Sequence, residues 1–269
     1  MNHFSILRKW IKDLSGYQIG LHASNASFYI ILSVFPTIML IAALLPTFGV
    51  GTYELLEAME GLVPEVLYPL FQKVIQDMEG TTTGILLSAT AVVAVWSASK
   101  GVYCIRQGLN AVYGVRESRS YLYNRLNSMF YTILLILSLL LTLAVSGFGR
   151  AIVTYLSERP VPILKIIASI LRMRSVILML LLTALFSAIY CVFPKRKQTM
   201  YSVFPGAAMA ALSWLVFTRA YSLYVRFSGS YSILYGSLSI IAMGMVWLYI
   251  CISILFYGCV LNICLEKKN

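Results

Sequence analysis

Val203-Phe204-Pro205-Gly206-Ala207-Ala208-Met209-Ala210-Ala211 opens, and Leu261-Asn262-Ile263-Cys264-Leu265 closes, the stretch that decides the fold. Two apolar runs lie between these ends, each as long as the roughly 20 residues that a helix needs to cross a bilayer. The link between them is rich in tyrosine and serine: Tyr221, Tyr224, Ser228, Gly229, Ser230, Tyr231 and Tyr235. From Phe227 to Asn262 no side chain can carry charge at neutral pH. Arg219 sits inside the first run and Arg226 follows two turns later. An arginine within a span is costly, so it faces protein or water and marks a pathway or a structural pair.

The composition extends this reading to the whole chain. Of the 269 residues 59% are hydrophobic and 12% charged, and the mean hydropathy is +0.82. Soluble domains average about a quarter charged residues, so this chain takes lipid as its solvent. Its length holds six spans plus loops. The net charge of +11 would suggest nucleic acid in a soluble protein. In a membrane protein, basic residues collect on cytoplasmic loops and meet anionic lipid there, so membrane lipids are the expected partners and nucleic acid is not. The five cysteines, Cys104, Cys191, Cys251, Cys259 and Cys264, form no C-x-x-C pair and have no histidine nearby. That spacing gives no metal site, and no cofactor is expected. Met1–Gly20 lacks the compact apolar core of a cleavable signal.

Taken outward, the sequence predicts an all-α integral membrane protein in one domain, 1–269, with six transmembrane helices. The spans fall at about 27–48, 83–103, 130–148, 176–193, 204–224 and 233–264. Phe4, Leu7, Ile11 and Leu14 recur at helical spacing beside Arg8, Lys9 and Lys12, the pattern of a short amphipathic helix at the interface or of a basic tail. Pro36 interrupts the first span, and neighbouring helices or Ser33 can re-satisfy the carbonyl it frees. Residues 49–82 hold Glu54, Glu57, Glu60, Glu65, Asp77 and Glu79 against Lys73; they predict an outer helical loop whose second helix opens at Pro64. Gly206 and Ala210 form a small-xxx-small pair that permits close helix approach. Lys100, Arg106, Arg116, Arg119 and Arg125, then Lys195-Arg196-Lys197, then Lys267 and Lys268 place both termini in the cytoplasm. Arg150, Arg159, Lys165, Arg172 and Arg174 run against that rule; Arg172 and Arg174 would line a cavity mouth or hold headgroups, or 163–171 would re-enter the membrane.

Four segments in order resemble the YihY/BrkB family of bacterial inner-membrane proteins. They are Ala26-Ser27-Phe28-Tyr29-Ile30-Ile31-Leu32-Ser33-Val34-Phe35-Pro36; Trp96-Ser97-Ala98-Ser99-Lys100-Gly101 with Gly108-Leu109-Asn110-Ala111-Val112-Tyr113; Phe204-Pro205-Gly206-Ala207; and Tyr231-Ser232-Ile233-Leu234-Tyr235-Gly236-Ser237-Leu238 with Trp247-Leu248-Tyr249 and Gly258-Cys259-Val260-Leu261-Asn262. The resemblance implies a six-span, transport-like protein of the bacterial cytoplasmic membrane, whose relatives have been linked to serum resistance and envelope lipid traffic. Some relatives carry an old ribonuclease BN label. The family closes its last span with Gly-Ala-Glu-x-Asn; here Val260 replaces the acid, which puts in doubt any proton- or cation-coupled step that relies on it.

Chemistry separates the functional readings. Metal-dependent RNA cleavage needs convergent carboxylates or histidines, and the only histidines are His3 and His22. A serine hydrolase lacks its G-x-S-x-G elbow. No enzyme is expected. Arginine recognises phosphate and carboxylate through paired donors, and tyrosine suits half-apolar, wet grooves. Arg219, Arg226, Arg172 and Arg174, with Tyr221 and Tyr224, therefore predict a ligand-binding cavity for an anionic lipid headgroup or small anionic solute. The alternative is a non-transporting scaffold for envelope assembly, with a second copy of the chain or an envelope protein as its partner.

Overall fold

The computed structural model describes residues 18–44, 63–78, 84–115, 120–133, 174–227 and 237–266. The amphipathic segment 3–15 and most of the third expected span lie outside them. The described residues form helices α1 (Ile19–Leu44), α2 (Tyr68–Met78), α3 (Gly84–Val112), α4 (121–133), α5 (Arg174–Val192), α6 (Met200–Phe227) and α7 (Ser237–Glu266), with a tight helical turn at Glu65–Leu67 before α2. There is no strand among them beyond an isolated bridge position at Val63. Three helical stretches are long and apolar enough to cross a membrane: Ile19–Ile41, Met200–Phe227 and Ser239–Glu266; Leu178–Val192 is a shorter apolar helix.

The first helix begins eight residues before the expected span because its polar start is helical too. Ser24 and Ser27 donate to the carbonyls of Leu21 and Ser24, at 3.0 and 2.9 Å, so their hydroxyls are satisfied within the helix. Ser33 behaves likewise: its hydroxyl donates to Ile30 O at 2.8 Å. The carbonyl that Pro36 leaves without a donor is that of Leu32, so the expected repair by Ser33 does not form. The larger revision is at α3. It continues past residue 103 to Val112, about 43 Å at 1.5 Å per residue, and much of the expected basic loop 100–128 is therefore helix.

Packing alternates the helix directions. Along α3, Gly101 meets Ile30 and Gly108 meets His22 and Phe256, so α1 and α3 run antiparallel. Phe186, Trp214 and Trp247 form an aromatic ladder across α5, α6 and α7, with ring centroids 5.6 and 5.7 Å apart. Above it Trp247 Nε1 donates to Thr218 Oγ1 at 3.2 Å and Tyr221 OH to Met243 O at 2.8 Å. Below it Tyr190 OH donates to Leu255 O at 2.6 Å.

A close joint forms between α6 and α7, at the small-xxx-small pair that permits it. A Cβ on Gly206 would collide with the Gly258 carbonyl oxygen and the Asn262 side chain, and one on Gly258 would meet Ala210 Cβ. Glycine is needed here for close approach. Asn262 clasps the opposing helix: its Oδ1 accepts from Gly206 N at 2.7 Å and its Nδ2 donates to Val203 O at 3.0 Å. Val260, beside it in sequence, is buried in the core. The turn at Glu65–Leu67 and helix α2 lie over the opposite end of the bundle, with Leu67 against Gly244 and Phe71 buried.

Candidate functional site

The residues singled out at the end of α6 do not share one environment. Arg219 and Tyr224 are exposed. Tyr221 is buried, and its hydroxyl is used by Met243 O; its ring lies 6.4 Å from that of Tyr224. Arg226 is exposed and forms an ion pair with Glu65, which ties the α2 region to α6. Arg174 opens α5, and Arg172 lies outside the described residues. The structure thus joins Tyr221 to Tyr224 by ring contact and turns Arg226 toward the carboxylate of Glu65.

A second set of polar residues is more deeply placed. Ser99, Lys100, Tyr103, Arg106, Gln107 and Asn110 recur on α3 at intervals of three and four residues, the spacing that puts side chains on one helix face. Helix α4 answers with Asn124, Arg125, Ser128 and Thr132, all buried. Here Ser128 and Thr132 donate to the carbonyls of Asn124 and Ser128, at 2.9 and 2.8 Å. Gln107 Nε2 donates to Tyr103 OH at 2.8 Å, and the rings of Tyr103 and Tyr121 meet edge to face at 6.1 Å. A polar seam results between α3 and α4.

Lys100 and Arg125 stand on this seam, and Arg106 lies on the same face of α3. Arg125 crosses from α4 to α3, where one guanidinium nitrogen donates to Trp96 O at 2.7 Å and the group lies 4.7 Å from the Trp96 ring centre. Lys100 lies 5.0 Å from the centre of the Tyr29 ring. Arg106 and Arg125 are each only 4% exposed. Nε and Nη1 of both guanidiniums are buried and have no hydrogen-bond partner. Buried donors without acceptors are rare because each costs its desolvation energy. The two described acidic side chains that form ion pairs, Glu65 and Glu266, are engaged elsewhere, with Arg226 and Arg196.

The seam closes at the basic end of the bundle. Asn110 Oδ1 accepts from Lys195 N at 2.9 Å, and Tyr131 stacks on Phe193 at 5.4 Å. Arg196 lies over the Tyr113 ring and pairs with Glu266 at 2.6 Å. Burial pushes the Tyr113 phenol well above its ordinary range, so it stays neutral. Among the described residues no group of three His, Cys, Asp or Glu side chains could hold a metal ion.

The family model described as "Virulence factor BrkB" matches residues 11–269. The chain belongs to the BrkB family. Among its relatives is a Bacillus subtilis protein named "putative ribonuclease-like protein YfkH", 29% identical over 247 residues, covering 92% of this chain and 90% of that protein. The UPF0761 membrane protein PBPRA3489 of Photobacterium profundum is 25% identical over 261 residues, covering 94% and 78%. The UPF0761 membrane protein VP0125 of Vibrio parahaemolyticus is 22% identical over 270 residues, covering 96% and 81%. No solved structure matches the chain. Together with its apolar helices, these relatives make the chain a membrane protein of the BrkB family. The segment Gly258–Asn262, one of those that carry the resemblance, gains a physical meaning here, since Gly258 and Asn262 build the α6–α7 joint. Sequence reading counted Arg106 and Arg125 only as topology-setting charges; their signals were the three-and-four spacing of polar residues from Ser99 to Asn110 and from Asn124 to Thr132.

Proposed function

We propose that this BrkB protein is transport-like and handles an anionic lipid headgroup or small anionic solute through a cavity lined by basic and tyrosine residues. The observation that carries this reading is the pair of buried guanidiniums, Arg106 and Arg125, each with two nitrogens that lack an acceptor. Ionisable groups buried within a membrane protein mark substrate pathways, and an arginine with open donors selects an anion. Lys100, Tyr29, Tyr103 and Tyr121 add the basic and aromatic lining. In this reading the end carrying Lys195, Arg196 and Lys197 is cytoplasmic, as the charge rule requires, and six spans in the inner membrane place both termini there. Arg219, Arg226, Arg172 and Arg174, with Tyr221 and Tyr224, belong to the opposite mouth, where release of Arg226 from Glu65 would expose a second cationic group.

Reconstitution into liposomes tests the proposal. The purified chain should accelerate either transbilayer movement of a fluorescent phosphatidylglycerol or uptake of a small anion over protein-free vesicles. Equal rates in both vesicle types for every anion tried would reject transport and leave the scaffold reading.

A further inference from the structure

We infer that the α3–α4 seam is a binding site for the phosphate of an anionic phospholipid headgroup, with Arg125 and Arg106 as the phosphate-binding residues and Lys100 adding charge. This deepens the anion-handling reading and rests on it. Four buried guanidinium nitrogens lack acceptors, and no protein carboxylate among the described residues pairs with either group. A planar guanidinium matches the oxygens of phosphate through two parallel donors, so a phosphate entering the seam supplies what the protein omits.

The rim of the seam argues for a lipid rather than a free ion. Trp96, which stacks on Arg125, is 56% exposed, and Tyr121, Leu122, Leu126 and Phe130 on α4 are exposed as well. Charge lies inside and large apolar side chains lie outside. An amphiphile fits both, its phosphate on the guanidiniums and its acyl chains along the apolar rim. Trp and Tyr hold this kind of position at membrane interfaces. A free phosphate uses the inner groups alone and gains nothing from the rim.

The test uses the full chain in a neutral maltoside detergent, with short-chain phosphatidylglycerol and inorganic phosphate as separate probes and calorimetric titration as readout. Phosphatidylglycerol should bind saturably. Arg125→Gln and Arg106→Gln should each weaken it by about ten- to a hundredfold, the loss expected for one charge-assisted contact, while far-UV circular dichroism is unchanged. Arg125→Lys should restore part of the affinity. Lys73→Gln, on the exposed face of α2, should bind as the unaltered chain does. Saturable inorganic phosphate binding with the same arginine dependence, and none of the lipid, would overturn the lipid source. Phosphatidylglycerol binding unaffected in both glutamine variants would overturn the site; if flux persisted in those variants, the broader transport reading would stand without it.

Discussion

Replacing Arg106 with methionine should stabilise this protein. The guanidinium is 4% exposed, and its Nε and Nη1 have no partner. A buried ion without compensation keeps its desolvation penalty. Exchanging buried ionic groups for apolar residues of similar volume is often neutral or stabilising by roughly 1–4 kcal/mol. The ion here is single and unpaired, so the expected gain is in that range, up to several hundredfold in the folding equilibrium at about 1.4 kcal/mol per factor of ten. Unfolding by increasing dodecyl sulfate in mixed micelles, followed by tryptophan fluorescence, measures it. The gain should shrink when phosphatidylglycerol is present, because the ligand stabilises only the chain that binds it. The sign decides the argument. Removing one partner of a buried ion pair costs about 3–5 kcal/mol, and a loss of that size in Arg106→Met would show that Arg106 is a structural cation with a protein partner.

Further expectations follow from the α6–α7 joint and the outer loop. Gly206→Ala should destabilise the fold by about 1–3 kcal/mol in the same assay, since its Cβ collides with the backbone of Gly258; an unchanged midpoint would mean that the helices separate at no cost. Asn262→Ala removes both inter-helix hydrogen bonds, to Gly206 N and to Val203 O, and should lose about 0.5–1.5 kcal/mol for each, whereas Asn262→Leu should do no better. Tyr190→Phe removes one buried hydrogen bond to Leu255 O and should cost about 0.5–1.5 kcal/mol. Cysteines placed at positions 60 and 118 should label from outside and inside respectively; labelling at 60 only after permeabilisation would reverse the orientation.

Much of the architecture was legible because lipid imposes simple rules. Apolar runs had to be helices, and Gly206 with Ala210 announced a close helix contact that Gly258 completes. The helix ends were harder to place. Ser24 and Ser27 make the start of the first span polar, yet each hydroxyl folds back on a nearby carbonyl and α1 starts at Ile19. Lys100, Arg106 and Arg125 read as loop charges because hydropathy falls there; only the packed partner helix shows that the arginines are buried. Arg226 pointed to a ligand by its place beside a span, but its partner Glu65 is 161 residues away in sequence, and one sequence carries no sign of that pairing.

The central claim is that an anionic group is moved by way of Arg106 and Arg125. The most direct measurement is the initial rate of transbilayer movement of fluorescent phosphatidylglycerol in proteoliposomes, compared at equal protein density between the unaltered chain and the Arg106→Gln/Arg125→Gln double variant. The account predicts a rate well above protein-free vesicles for the former and close to them for the latter. Equal, rapid movement with both chains would contradict it.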